Sequence, residues 1–314
     1  MPTWSTDALP VHERFDCWRE VRARHLFGVT AELPAYQRAG FSARMATRTV
    51  GSATLVEMQA SPYSVERSAW DIQRAPGGSL CLYQQVGGGA WFGTGAMDFV
   101  LGPGALATSH TDLAYATRPT GTEGFNLRIL KLPAEAAAPS TVPLHDLAPR
   151  PLEADERLAL CLGASLSALA ATSSAEAGPG DHDRIGAIAQ LILLARRAVP
   201  AGSVESRRAV RSALLDAARQ VLDARFRQRA LAPEAVAAHL GVSVRQLHML
   251  FEPTGSTFHR TLNGLRVAEA RRRLVEEPDG AIAEIAFAAG FDSLPTFYRV
   301  FRALDGHTPG DYRR

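Results

Sequence analysis

From Phe41 to Pro133 hydrophobic positions recur with a period near two, in short segments rich in Val, Leu, Phe, Tyr and Thr. Turn signals punctuate them at Gly51, Pro62, Gly77, Gly87 to Gly89, Gly102 to Gly104 and Pro119 to Gly121. The clearest run sets Phe125, Leu127 and Ile129 against Asn126 and Arg128, which predicts a strand with one face on a core and the other in water. Several such strands in series predict a small barrel or sandwich.

Near residue 154 the period lengthens to 3.6. Leu158, Leu162, Leu166 and Leu169 fall on one helical face, as do Ile185, Ile188, Ala189, Ile192 and Leu193. A low-complexity run, Ala170 to Asp181, separates the two helices. Both stripes fit packing onto the barrel; the alternative is that one of them forms a dimer seam. Val199 to Ser206 reads as an interdomain linker, and a third helix is predicted over Arg207 to Phe226.

Past that helix the pattern nearly repeats. Val236 to Ser243 precedes an apolar-spaced segment ending in Phe251, and Ile285 to Ser293 precedes one ending in Phe301; the two turn glycines, Gly241 and Gly290, are 49 residues apart (290 minus 241). Each unit reads as a short helix, a glycine turn that accommodates positive φ, a polar N-cap (Ser243, or Asp292 or Ser293) and a second helix. Ser243 and Gln246 have capping-box spacing, and Pro295 sits in the first turn of its helix, where a missing N–H costs little. These are the parts of a helix-turn-helix, whose second helix can enter a DNA major groove. Between the units, Ser256 to Glu277 predicts one helix with Phe258, Leu262, Leu265 and Leu274 buried. At ~1.5 Å per residue it spans roughly 30 Å, near the ~34 Å between successive major-groove faces on one side of B-DNA.

The stretch from Leu231 to Arg314 resembles the DNA-binding domain of the AraC/XylS family of bacterial transcription regulators. The matching motifs are LGVSVRQLHMLF at 240–251, Arg266 and Ala270 in an R-x-x-x-A, IAEIAFAAGFDS at 282–293, FYRVFR at 297–302 and the closing GHTPGDYR at 306–313. Upstream, RFDCWRE at 14–20 and the strand-rich stretch look like the cupin-like effector-binding barrel of one branch of that family. The implied architecture is α+β and multidomain. It places a barrel-like regulatory domain at 1–150, a helical dimerisation or linker region at 151–206, and an all-α DNA-binding domain at 207–314 with helix-turn-helix units at about 232–252 and 281–303.

The resemblance implies that Val244, Arg245, Gln246, His248 and Met249 face the groove in the first unit, and Leu294, Thr296 and Arg299 in the second. Leu247, Leu250, Phe251, Phe297, Val300 and Phe301 would face the core. Arg245 can pair bidentately with guanine, with a phosphate contact or a solvated charge as the alternatives; for Arg299 the readings are a base contact or a phosphate contact. Met249 departs from the family, which often has arginine there. Arg271, Arg272 and Arg273 could bind phosphate or simply form a solvated face. Trp70, Tyr83, Trp91 and Tyr115 could line an effector pocket, though barrel aromatics are more often core.

Charge changes the picture only when divided. The 314 residues carry 34 basic and 32 acidic side chains, a net of +2. Residues 207–314 hold 17 arginines and 12 acids (+5), leaving 17 basic and 20 acidic residues (−3) for 1–206. A net of +5 is modest for a DNA binder, so both units and a second protomer are expected to act together. Cys17, Cys81 and Cys161 form no C-x-x-C pair, the first twenty residues lack the apolar core of a signal peptide, and the Ile185 to Ala195 run is too short to span a bilayer. A cytoplasmic protein with free thiols and no membrane segment is expected.

Catalytic signatures are missing. His110 is the only histidine between Phe41 and Pro133, so the H-x-H set of metal-dependent barrels is not there. Asp181-His182-Asp183 reads as a helix start before a metal site, and Gly87 to Gly95, lacking Gly-Lys-Ser/Thr, as a hairpin turn before a phosphate loop. No catalytic residue, metal or cofactor is expected. The resemblance therefore implies an effector-responsive transcription regulator, an activator, that binds promoter DNA as a homodimer and contacts RNA polymerase. A small-molecule barrel enzyme with an accessory helical domain is the alternative.

Overall fold

The computed structural model describes residues 3–133, 147–152, 156–172 and 179–313. Residues 173–178 of the low-complexity run at 170–181 lie outside these residues. The chain divides into two units, Met1–Ala213 and Leu214–Arg314.

In chain order the first unit contains β1 (Thr3–Ser5), α1 (Arg14–His25), β2 (Thr30–Glu32), β3 (Ala43–Val50), β4 (Ala53–Ala60), β5 (Ser64–Arg67), α2 (Ala69–Arg74), β6 (Ser79–Gly87) and β7 (Ala90–Gly93). It continues with β8 (Asp98–Leu101), β9 (Leu106–His110), β10 (Tyr115–Pro119), β11 (Phe125–Pro133), β12 (Arg150–Pro151), α3 (Glu156–Ala171) and α4 (Pro179–Ala195). The strands form a seven-stranded sheet, β1-β3-β4-β11-β6-β9-β12, and a five-stranded sheet, β2-β5-β10-β7-β8. Every pairing is antiparallel. Of the two expected forms, barrel or sandwich, the strands make two separate sheets, with no strand among the described residues hydrogen-bonded into both.

Their shared core draws Met58, Tyr83 and Ile129 from the larger sheet, Val65, Phe92 and Tyr115 from the smaller, and Phe15 and Trp18 from α1. Burying such side chains stabilises by roughly 1.5 to 3 kcal/mol each. The rings pack edge to face, Phe15 on Phe41 at 5.1 Å and Tyr83 on Phe92 at 6.3 Å.

Three sequence expectations change here. Leu130 and Leu132, on the β11 face expected to meet water, are fully buried. α3 lies along that face: Arg128 Nη1 donates to Ser167 Oγ at 3.4 Å, and Arg48 of β3 donates to the Leu169 carbonyl. Gly88 and Gly89 carry the chain from β6 in one sheet to β7 in the other, and the hairpin turn expected within Gly87 to Gly95 comes only at its end, where Gly95 (φ +76°) sits in the turn between β7 and β8. The stripes of α3 and α4 are buried within their own unit, Leu162, Leu166, Leu169, Ile188 and Ile192 completely, so neither is open to serve as a dimer seam. Asp181 is in the first turn of α4 and pairs with Arg48 (3.4 Å) and Arg184 (3.2 Å).

Helix α5 (Val204–Arg225) begins inside the expected linker and contains the boundary between the units. The second unit continues with α6 (Pro233–His239), α7 (Val244–Phe251), α8 (Phe258–Glu276), α9 (Ile282–Ala288) and α10 (Leu294–Asp305). α6–α7 and α9–α10 are the two helix pairs, and both α7 and α10 pack on α8. Around α9 and α10 the core is Ala270, Leu274, Ile285, Phe291, Phe297 and Phe301. The closing segment seals it: Tyr312 stands edge-on to Phe301 at 5.7 Å and its hydroxyl donates to Asp305 at 3.0 Å.

Candidate nucleic-acid interface

α7 starts where the sequence demands. Ser243 Oγ accepts from the Gln246 N–H at 3.1 Å, and Gln246 Oε1 accepts from the Ser243 N–H at 2.9 Å, a reciprocal capping box. Leu247, Leu250 and Phe251 then point into the core, Phe251 meeting Phe258 of α8 edge to face at 5.9 Å. The opposite face presents Arg245, Gln246, His248 and Met249 to solvent, with Val244 half-buried. The Gln246 carbonyl oxygen is already committed to the cap.

α10 repeats the design. Ser293, rather than Asp292, is the N-cap: its Oγ accepts from the Thr296 N–H at 3.4 Å and donates to Thr296 Oγ1 at 2.9 Å. Phe297, Val300 and Phe301 are buried, Arg299 is exposed, and Leu294 and Thr296 are half-buried. Neither Arg245 nor Arg299 has a carboxylate partner among the described residues. An unneutralised guanidinium on a capped helix can meet a phosphate or a base edge.

The arginine run on α8 is different. Arg271 pairs with Asp305 (3.2 Å), Arg272 with Glu269 (3.0 Å) and Glu276, and Arg273 with Glu269 (2.9 Å) and Glu277 (3.3 Å). Glu269 also takes Arg227 at 3.1 Å. The Arg272 hydrogen bond chiefly, with Arg273 and the Arg227 charge, outweighs desolvation and pulls this carboxyl down to about 2. These cations are spent on intramolecular carboxylates.

Arg266 is buried. Its Nε and Nη2 donate to the Phe226 and Gln228 carbonyls, each at 2.9 Å. Its role in the motif is to tie α8 to the segment after α5. Sequence spacing alone could not assign that partner.

In the first unit a cavity of about 60 Å³ lies between the two sheets. Of the four aromatic candidates, Tyr83 and Tyr115 line it and Trp70 and Trp91 do not. Trp70 is exposed under the Arg74 guanidinium at 4.9 Å, and Trp91 stacks with Arg118 at 4.3 Å. Sequence reasoning missed Arg22, Tyr63, Phe92 and Phe125 on the cavity wall.

Comparison with known proteins agrees with this geometry. A family model described as "Helix-turn-helix domain" matches residues 236–314. The transcriptional activator NphR of Rhodococcus sp is 38% identical over 79 residues, 25% of this chain and 23% of the relative. The HTH-type transcriptional regulator GlxA of Rhizobium meliloti is 42% identical over 88 residues, 28% of this chain and 27% of the relative. These matches span about a quarter of the relatives' length. The crystal structure of the AraC-like transcriptional activator CuxR superposes on 92% of this chain and 100% of its own, with a TM-score of 0.52 and 21% identity, a likeness of fold. No helix among the described residues is long and apolar enough to cross a membrane.

Proposed function

We propose that the chain is a sequence-specific DNA-binding transcription regulator of the AraC/XylS type, a reading supported by the match of residues 236–314 to the helix-turn-helix family model. Val244, Arg245, Gln246, His248 and Met249 on α7 and Leu294, Thr296 and Arg299 on α10 meet DNA, with residues 207–314 as the DNA-binding domain. The observation that carries this reading is the pair of capped helices, each with a buried apolar face and an outward, unneutralised arginine, on a connecting helix of 19 residues. At ~1.5 Å per residue that helix is about 28 Å long.

Residues 1–150 sense a small-molecule effector. The 151–206 region contributes to a homodimer through faces other than its buried stripes. The effector binds one arrangement of the regulator more tightly than another and so shifts promoter occupancy. At its promoters the protein acts in the cytoplasm as an activator that contacts RNA polymerase. A modest domain charge of +5 supports dimeric binding.

Selection of genomic fragments by the purified full-length chain, followed by anisotropy titration at graded salt, tests the reading. We expect recurring half-sites and affinity that falls steeply with salt. Failure to enrich any sequence, with no affinity at low salt, overturns it.

A further inference from the structure

Among the described residues five arginines are buried: Arg22, Arg48, Arg67, Arg196 and Arg266. Four are held by near acceptors. Arg67 donates to the Thr111 and Ala75 carbonyls at 2.9 and 2.8 Å, and Arg196 to Thr108 and the Ala148 carbonyl at 2.6 to 2.8 Å. Arg266 has two carbonyls at 2.9 Å, and Arg48 has Asp181 and the Leu169 carbonyl. Arg22 has the Phe27 carbonyl, at 3.5 Å, and the Phe27 ring, 5.6 Å from its guanidinium, but no carboxylate among the described residues. A cation held out of water without a counter-charge is strongly disfavoured.

Arg22 lines the cavity between the sheets. The wall carries a second arginine, the exposed Arg118, and no carboxylate. The remainder is largely aromatic and aliphatic, including Tyr63, Phe92 and Phe125. Burial pushes the Tyr83 and Tyr115 phenols up, so both stay neutral. The site therefore lacks an anion and offers flat apolar surface.

We propose that this cavity binds a small monocarboxylate with an apolar body, its carboxylate on the Arg22 guanidinium and its body against Tyr63, Phe92 and Phe125. The assignment rests on the reading of residues 1–150 as an effector domain and names the chemical class of that effector. A neutral ligand would leave Arg22 unpaired, and a cation would meet two like charges.

The test is calorimetric titration of the full-length chain with benzoate and hexanoate, against benzamide and hexanamide as neutral isosteres. Saturable binding of a carboxylate, with its amide weaker by about 10- to 100-fold, is expected. Arg22→Met should lose binding by a similar factor, and Arg22→Lys should keep part of it. The acid and amide comparison uses the wild-type chain, so it decides the matter even where Arg22→Met does not fold. No binding of either carboxylate at millimolar concentration, equal binding of acid and amide, or undiminished binding by folded Arg22→Met overturns the proposal.

Operator DNA affinity is measured on the same preparations with and without carboxylate. Intact DNA binding with no carboxylate binding overturns this assignment and leaves the regulator reading standing. Carboxylate binding without a change in DNA affinity supports the site and overturns its effector role. Carboxylate binding by a chain with no affinity for any DNA supports the site and overturns the regulator reading.

Discussion

Gly290 lies so close to the carbonyl oxygen of Phe226 that a Cβ at 290 would overlap it, and the Arg266 guanidinium donates to the same oxygen at 2.9 Å. The turn of the second helix-turn-helix unit, the connecting helix and the end of α5 thus meet at one backbone atom. Gly290 also has φ +96°, a conformation that costs an alanine roughly 1 to 2 kcal/mol, and forcing the two backbones apart adds about 1 to 3 more. Gly241, its counterpart in the first unit, has φ +62° but faces open space. Gly290→Ala should therefore lower the urea midpoint clearly more than Gly241→Ala. Equal losses would show that the backbone at 226 yields.

Arg266→Lys should destabilise by about 2 kcal/mol or more, because one ammonium cannot reach both carbonyls in the geometry of the planar fork and a buried acceptor is left unmade. The salt dependence of DNA binding should keep its slope. Because lysine keeps the charge, the deciding variant is Arg266→Gln: a slope reduced by about one would move Arg266 from the fold to the phosphates.

Glu269 gives a pH signature. Its carboxyl is lowered from 4.5 to about 2 by the surrounding arginines, so the stabilisation it provides is complete above pH 4.5 and is lost as pH falls from there towards 2. Glu269→Gln should be less stable than the wild type at pH 7, and the gap should close across that window in denaturation curves. A gap that stays constant down to pH 2.5 would mean that packing, not charge, carries the difference.

The second unit was legible because its signals are local. Gly241, Ser243 and Gln246 lie within six residues of one another, and their conformations and hydrogen bonds follow from that short stretch. The first unit was less so because its decisive relations are distant. Nothing near Leu130 and Leu132 reveals that α3, some thirty residues on, covers them. Arg22 sits in a helix, RFDCWREVRARH, whose charge reads as solvated; only Phe15 and Trp18, one turn or two before it, mark the face that turns inward. Among the aromatics, composition could not separate Tyr83, on the cavity, from Trp70, in solvent, because the strand pattern gives a face and not the neighbour across it.

Arg245→Ala should weaken binding to a selected operator by roughly 1 to 3 kcal/mol, the range of a bidentate contact to guanine, without moving the urea midpoint, since the side chain is exposed. Competition titrations against random duplex separate the two readings of this residue. An equal loss on random DNA reassigns Arg245 to phosphate contact.

Met249 is 40% exposed on the same face of α7, one turn beyond Arg245. A methionine there offers only apolar contact, such as to a thymine methyl, and adds nothing to the modest +5 of residues 207–314. Met249→Arg places a second guanidinium beside the first while leaving Leu247, Leu250 and Phe251, which hold the helix to its core, untouched. Binding at low salt should strengthen, and the slope of log affinity against log salt should steepen by about 0.9 if the new charge meets one phosphate. Gain at every sequence marks a phosphate contact, and gain confined to operators with guanine at one position marks a base contact. Unchanged affinity and slope would place this face of α7 away from DNA, and the groove-facing assignment of Arg245 and His248 would fall with it.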